Sequence, residues 1–301
     1  MDVSLYCSPT RLLLLVGSVN GQKATIDEFK VVPLPEQSMI NGVITDKDTV
    51  TRFFQAVTQQ FGPYRQDAVL VLESNNIRTK MMTLPRVKED KLVSFVRQDF
   101  GEISEESDDV FDFTVIGENG PEGGLEVLGI AAGRVLLQNY IDVLRAAGFK
   151  LKRIDVGSNS LRKIASFIPQ LGSDNSILVH IDDVTLGITL YEQGMYRISQ
   201  KYRLLNAPGT DARRNEVVNN ISSMVQFQKS QHRDFSINAI HVLGLPSNDM
   251  PIFVEATRFL EIPVFELSFD SQIKLTGKAH FDQATFLSSQ YLYNLGAMIR
   301  R

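Results

Sequence analysis

The chain has 301 residues, with 31 Lys and Arg against 35 Asp and Glu, a formal net charge of −4, and 43% hydrophobic residues. At roughly 150 residues per domain this length gives about two lobes, and the acidic balance argues against sequence-independent nucleic-acid binding. The single Cys7 excludes an internal disulfide, His180, His232, His241 and His280 lack metal-ligand spacing, and the apolar run Leu12 to Val16 is too short to cross a bilayer. With no charged stretch leading into an apolar one at the start, the expectation is a cytoplasmic protein.

In chain order, the pattern predicts strands over Val3 to Cys7, Arg11 to Val16 and Ala24 to Val31, with Asn20-Gly21 as a hairpin turn. A helix follows, its apolar positions Val50, Phe53, Phe54, Val57 and Phe61 keeping the 3.6 period after an N-cap at Thr45 or Asp46. The strand Ala68 to Leu72 closes this unit. A different stretch follows: strand Ile77 to Thr83, helix Lys88 to Phe100, strands Val110 to Ile116 and Leu125 to Ala131, helix Val135 to Ala147, strand Lys150 to Val156. This β-α-β-β-α-β order is that of a split βαβ subdomain. The acidic tract Glu102 to Asp109 reads as a solvated loop within it.

The first order then recurs. Strands are expected at Ser176 to Ile181, Thr185 to Tyr191 and Met195 to Leu204, then a helix with Val217, Val218, Ile221, Met224 and Val225 on one stripe, then the strand Ile237 to Leu243. Arg213-Arg214 and Lys229 to Arg233 read as solvated faces of that helix. An amphipathic helix near Pro251 to Leu260, a short strand near Pro263 to Leu267 and a terminal helix with Leu287, Tyr291, Leu295 and Met298 on one face complete the chain. Two β-β-β-α-β units make an internal duplication the economical reading. The expected domains are a first lobe over 1–76, an inserted α/β subdomain over 77–156 and a second lobe over 157–301.

Particular stretches carry a resemblance. MMTLPRVKEDKLVSFVRQDF (81–100), DDVFDFTVIG (108–117), EVLGIAAGRVLLQNYIDVLRAAGFKLKRIDVGSNSLRKI (126–164), MVQFQKSQ (224–231), HVLGLPS (241–247) and SQYLYNLGAMIRR (289–301) resemble the PilM-type type IV pilus assembly proteins. That family is related to the cell-division protein FtsA and belongs to the actin-like ATPase superfamily. The resemblance implies an α/β actin-like fold of duplicated lobes with the small inserted subdomain. It also implies a scaffold at the inner face of the plasma membrane, held there through partners. A groove near Leu84 to Phe100 and Ile154 to Lys163 would receive the N-terminal cytoplasmic tail of a PilN-type membrane protein. Other components of the inner-membrane platform and the pilus motor ATPases are further implied partners.

The residues at the family's nucleotide motifs are altered. Where the family has D-I-G-S-S-S-V-K, this chain has Ser4-Leu5-Tyr6-Cys7-Ser8-Pro9-Thr10-Arg11. Ser4 replaces the acid, Tyr6 replaces the glycine, Ser8 stays a hydroxyl, and only Arg11 keeps the lysine's charge. In the second motif His180 takes the Asp position and Asp182 the glycine position, ahead of Asp183 and Thr185. A carboxylate there repels phosphate unless a metal intervenes. Of the paired glycines on the adenosine side only Gly244 is retained, followed by Leu245. Between Leu205 and the helix near Asn215 the family's small cap lobe is reduced to NAPGTDARR (206–214).

Three functions follow as expectations. The first is a pseudo-ATPase scaffold with no cofactor, in which His180 and Cys7 are structural. The second is a divergent ATPase binding ATP and Mg²⁺ through Asp182, Asp183, Thr185 and Arg11. The third, a small-molecule kinase of the same superfold, has no motif in its favour.

Overall fold

A computed structural model describes residues 2–62, 67–101, 108–118, 123–182, 184–231, 236–245 and 249–300. Asp183, His232 and most of the tract Glu102 to Asp109 therefore lie outside the described residues, as do the ends of Lys229 to Arg233, HVLGLPS and SQYLYNLGAMIRR. The chain divides into two compact units. One is the chain up to Ser18 with Glu28–Ser160, and the other is Val19–Asp27 with the chain from Leu161 onward.

The first unit begins with β1 (Asp2–Cys7), β2 (Arg11–Asn20) and β3 (Lys23–Pro33), the last of which enters it from the second unit. A small hairpin, β4 (Met39–Ile40) and β5 (Val43–Ile44), then leads to α1 (Lys47–Phe61) and β6 (Asp67–Leu72). The Asp46 carboxylate caps α1, accepting from Thr49 N–H at 3.0 Å, and satisfies a donor that the helix itself cannot. There follow β7 (Ile77–Leu84), α2 (Glu89–Asp99), β8 (Asp109–Gly117), β9 (Leu125–Gly133), α3 (Arg134–Ala146) and β10 (Lys150–Val156), and then α4 (Gly157–Phe167), which passes into the second unit after Ser160. Helix α4 was not expected from the sequence; it opens on a glycine where a Cβ would lie 1.4 Å from Glu73 Oε1.

The main sheet of this unit has the order β10-β6-β1-β2-β3, with β1 antiparallel to β2 and parallel to β6. Val3, Leu5 and Cys7 alternate onto one face, where they meet Leu12, Leu14, Ala68, Leu70 and the apolar stripe Val50, Phe54 and Val57 of α1. Leu136, Tyr140, Val143 and Leu144 of α3 pack into the same core, and Tyr140 Oη donates to the Gly42 carbonyl at 2.8 Å. A separate three-stranded antiparallel sheet of order β7-β9-β8 carries α2, whose Leu92 and Val96 close over Met82, Leu84, Phe111 and Val127.

This corrects the inserted β-α-β-β-α-β subdomain over 77–156. Its last helix and strand, α3 and β10, belong to the first lobe. Strand β10 pairs in parallel with β6, from Lys150 opposite Asp67 to Val156 opposite Leu72. The inserted layer is β-α-β-β and ends at Gly133. The physical cause is the stripe on α3, which finds a larger apolar face on α1 and the main sheet than a three-stranded sheet offers. Of the acidic tract, Asp108 and Asp109 pair with Arg134 at 3.0 Å and Arg78 at 2.7 Å.

The second unit contains β11 (Ser176–Asp182), β12 (Thr185–Glu192), β13 (Met195–Arg203), α5 (Asp211–Gln231), β14 (Ala239–Leu243) and α6 (Met250–Thr257). They are followed by β15 (Val264–Glu266), β16 (Ile273–Leu275), α7 (Gly277–Phe281) and α8 (Leu292–Met298). The sheet order β13-β12-β11-β14-β15 repeats that of the first unit, with a central strand antiparallel to one neighbour and parallel to the other. Strand β16 pairs in parallel with Ala24–Ile26 of β3, which draws that segment into this unit and moves the boundaries expected at 76 and 157. Residues 204–210 alone join β13 to α5. Burial opposes ionisation of Glu216, but hydrogen bonds from Leu205 and Asn206 and the charge of Arg213 outweigh it and hold its carboxyl below the usual range. Arg213 is buried, not a solvated face, and donates to the Asn206 carbonyl at 3.1 Å; Arg214 pairs with Asp211. In the terminal helix Tyr291, Leu295 and Met298 are buried, whereas Leu287 precedes the helix and is 56% exposed.

Candidate functional site

Two hairpin ends stand where an actin-like protein would bring phosphate-binding turns, one in each unit. In the first unit β1 and β2 are joined by a turn through Ser8, Pro9 and Thr10. Ser8 N–H donates to the Arg11 carbonyl at 2.9 Å, the Ser8 hydroxyl donates to the same oxygen at 3.1 Å, and Arg11 N–H lies 3.2 Å from Ser8 Oγ. Pro9 has no N–H. The backbone donors of Ser8 and Arg11 are therefore engaged within the turn. Ser4 and Tyr6 point to the sheet face opposite Leu5 and Cys7, and both are buried, Ser4 at 0% and Tyr6 at 3% exposure. Their cross-strand partners are Leu15 and Leu13.

In the second unit His180 and Asp182 lie at the end of β11, opposite Gly187 and Thr185 of β12. His180 is buried and its Nε2 lies 2.9 Å from the Ser289 carbonyl, so this nitrogen carries the proton and donates. Its ring centre lies 5.8 Å from that of Tyr293, over whose face Lys201 Nζ sits at 4.1 Å. A Cβ at Gly187 would stand 3.6 Å from Tyr293 Oη, an ordinary van der Waals contact. Asp182 is buried beside Thr185, and Asp183 is outside the described residues.

Gly244 follows β14 with φ +85°, and a Cβ there would lie 2.0 Å from the Ile181 carbonyl oxygen. It borders two cavities of the second unit. One, of about 280 Å³, lies at the lower end of the range for small-molecule sites and is walled by Ile181, Arg213, Arg214, Val217, Leu245 and Phe253. The other, of about 660 Å³, has Glu266 and Asp270 in its wall and no Lys or Arg among the described residues. That charge is the wrong sign for a polyphosphate. Among the described residues no three His, Cys, Asp or Glu side chains converge as metal ligands.

The structure thus brings Ser8 together with Arg11, and Asp182 together with Thr185, while His180 lies opposite Gly187. Of the segments expected to form the peptide groove, Leu84, Leu92 and Val96 lie in the core of the small sheet and Ile154 against the main one, whereas Leu161 to Lys163 belong to the second unit. The sequence reading missed the partners of His180, Ser289 and Tyr293, which come from far along the chain. It also missed Lys152 and Arg153, for which the signal was the basic stretch KLKRI at the start of β10, and Arg145 in the last turn of α3.

Residues 7–202 match the family model of the type IV pilus assembly protein PilM. The chain belongs to this family. A solved structure described as the PilM-PilN type IV pilus biogenesis complex aligns with TM-score 0.78 at 13% identity, over 99% of this chain and 97% of that one. A protein of Bacteroides thetaiotaomicron with an actin-like ATPase fold and unknown function aligns with TM-score 0.53 at 11% identity, covering 91% and 92% of the two chains. The cytoplasmic domain of EpsL, an inner-membrane component of the type II secretion system of Vibrio cholerae, aligns with TM-score 0.53 at 10% identity, covering 100% and 95%. At such identities these likenesses establish an actin-like α/β fold for the PilM-family chain. No curated protein matches it by sequence. No described helix is long and apolar enough to cross a membrane.

Proposed function

We propose that this PilM-family chain is a catalytically silent scaffold of a type IV pilus platform at the inner face of the plasma membrane. Its ligand is the N-terminal cytoplasmic tail of a PilN-type membrane protein. The observation that carries the reading is the engagement of both hairpin ends within the protein. The Ser8 and Arg11 amides close their own turn, and His180 is tied to Ser289 in the position of a metal-organising acid. Gly244 is accounted for by the Ile181 carbonyl without any ligand. This donor set does not fit a Mg·nucleotide. Family membership and the likeness to a PilM-PilN complex support the tail as ligand. The docking place we assign is in the first unit, around 84–100 and 154–160, where a short extended segment would add to a sheet edge or fill an apolar pocket. The other platform components and the pilus motor ATPases are its further partners in this reading.

Two measurements test the proposal. Co-purification with the PilN-type protein should be lost when its cytoplasmic tail is deleted, and unchanged co-purification would overturn the tail as ligand. Calorimetric titration of the folded protein with ATP and Mg²⁺ should give no binding heat. A one-site isotherm abolished by Asp182→Ala would replace the silent scaffold with a divergent nucleotide-binding protein.

A further inference from the structure

Strand β10 forms one end of the main sheet in the first unit. It pairs with β6 on one side and with no strand on the other among the described residues. Its register slips between Leu151 and Arg153, so Lys152 is an extra, bulged residue. Three positions along an unbroken strand would place Leu151 and Ile154 on opposite faces. The bulge restores them to one face, and both pack against the core shared with α3. A cavity of about 410 Å³ opens along this edge, between β10 and α3.

Its floor is apolar: Ile141 from α3, Phe149 from the turn before β10, and Leu151 and Ile154 from the strand. Its rim is cationic, with Arg145, Lys152 and Arg153 all exposed and no carboxylate lining it among the described residues. Lys152 has no hydrogen-bond or ion-pair partner among them. The nearby Lys150 is held by Asp67 at 2.7 Å.

An edge strand offers a row of backbone N–H and C=O groups to another chain. A strand laid there sends alternate side chains to opposite sides, so one set would reach the apolar floor and the other the basic rim. The concave apolar floor suits a chain rather than a flat lipid surface, and three cations on an acidic protein are few for a nucleic-acid backbone. We propose that the free edge of β10 docks an extended segment of a partner protein in which apolar and acidic residues alternate. This cavity shares Ile154 with the segments assigned to the tail and differs from that place in its cationic rim of Arg145, Lys152 and Arg153.

The test uses the full chain and a fluorescein-labelled, terminally blocked hexapeptide of alternating glutamate and valine, followed by fluorescence anisotropy. Saturable binding is expected, weakening with added salt and by about tenfold or more in an Arg145→Glu, Lys152→Glu double variant. Both positions are exposed, and an unchanged melting temperature shows that the variant is folded. The matching lysine–valine peptide should not bind. The proposal is overturned by absence of saturable binding to the folded protein, by equal binding of the lysine–valine peptide, or by unchanged binding in the double variant. It is also overturned if phosphatidylglycerol vesicles bind through these two residues while the peptide does not. The PilN-type tail is assayed separately, so failure here leaves that reading standing.

Discussion

Gly244 turns so tightly over the end of β11 that a Cβ on it would lie 2.0 Å from the carbonyl oxygen of Ile181. Its φ of +85° is also one that residues with a side chain rarely adopt. The glycine is thus required by the crossing of two chain segments, whatever the cavities beside it contain. Gly244→Ala should destabilise the protein by about 1–3 kcal/mol, lowering the melting temperature by roughly 2–4 °C for each kcal/mol. An unchanged melting temperature would mean that the glycine answers to a ligand instead.

Cys7 should be inert. It is buried in the core of the first unit, and burial pushes its thiol up to about 12. At pH 8 almost no thiolate is present to attack a disulfide reagent. Labelling should be negligible in buffer and stoichiometric in denaturant, and rapid labelling of the native protein would contradict the placement.

His241 makes stability depend on pH. It lies buried on β14 with its ring centre 5.9 Å from that of Phe265, and its Nδ1 has no partner among the described residues. Burial holds its pKa below the usual 6.5, against the weaker opposing pull of Asp174. Below about pH 6.5 the unfolded chain therefore takes up a proton that the folded one refuses. Stability is present above that pH and is lost as the pH falls through the lowered folded value. Melting temperatures recorded from pH 7.5 down to 5.5 should decline, and His241→Phe should flatten the decline.

Leu92→Ala in α2 should act on the inserted sheet alone. Leu92 is 3% exposed in a core separate from that of the main sheet. The substitution should cost about 2–5 kcal/mol of local stability. Hydrogen exchange should speed up in β7, β8 and β9 and stay unchanged in β10. Acceleration in β10 as well would restore the subdomain as the sequence suggested it.

That last contrast shows where the sequence stops being informative. Alternation in 3–7 and 176–181 and the stripe Val50, Phe54 and Val57 specify elements, because strand and helix periods are local. The hairpin turn was legible for the same reason but falls one residue later than Asn20-Gly21, at Gly21 (φ +55°) and Gln22, since β2 runs through Asn20. Which sheet Lys150–Val156 joins is a non-local choice, decided by Phe54, Phe149 and Tyr140 meeting in space. Helix α4 did carry a stripe, Leu161, Ile164 and Ala165 at helical spacing with Ile168 just beyond its end, all buried, whereas β16 has only three residues and no pattern to read. At the site, the substitutions of Ser4, Tyr6 and His180 could be read directly. The use to which His180 is put could not, since Ser289 lies more than a hundred residues away.

The inserted sheet enters and leaves the first lobe at neighbouring points: Ile77 at the start of β7 lies directly opposite Ala132 near the end of β9. Paired residues of this kind sit about 5 Å apart, a gap that a few residues of loop can close. The first lobe also keeps all five of its strands and both of its covering helices outside that interval. The layer is therefore a detachable cassette, and a chain joined from the end of β6 to the start of α3 through a short glycine–serine bridge retains every strand pairing of the lobe it leaves behind. Related scaffolds could exchange this module and so change what they recognise without rebuilding the body that carries it.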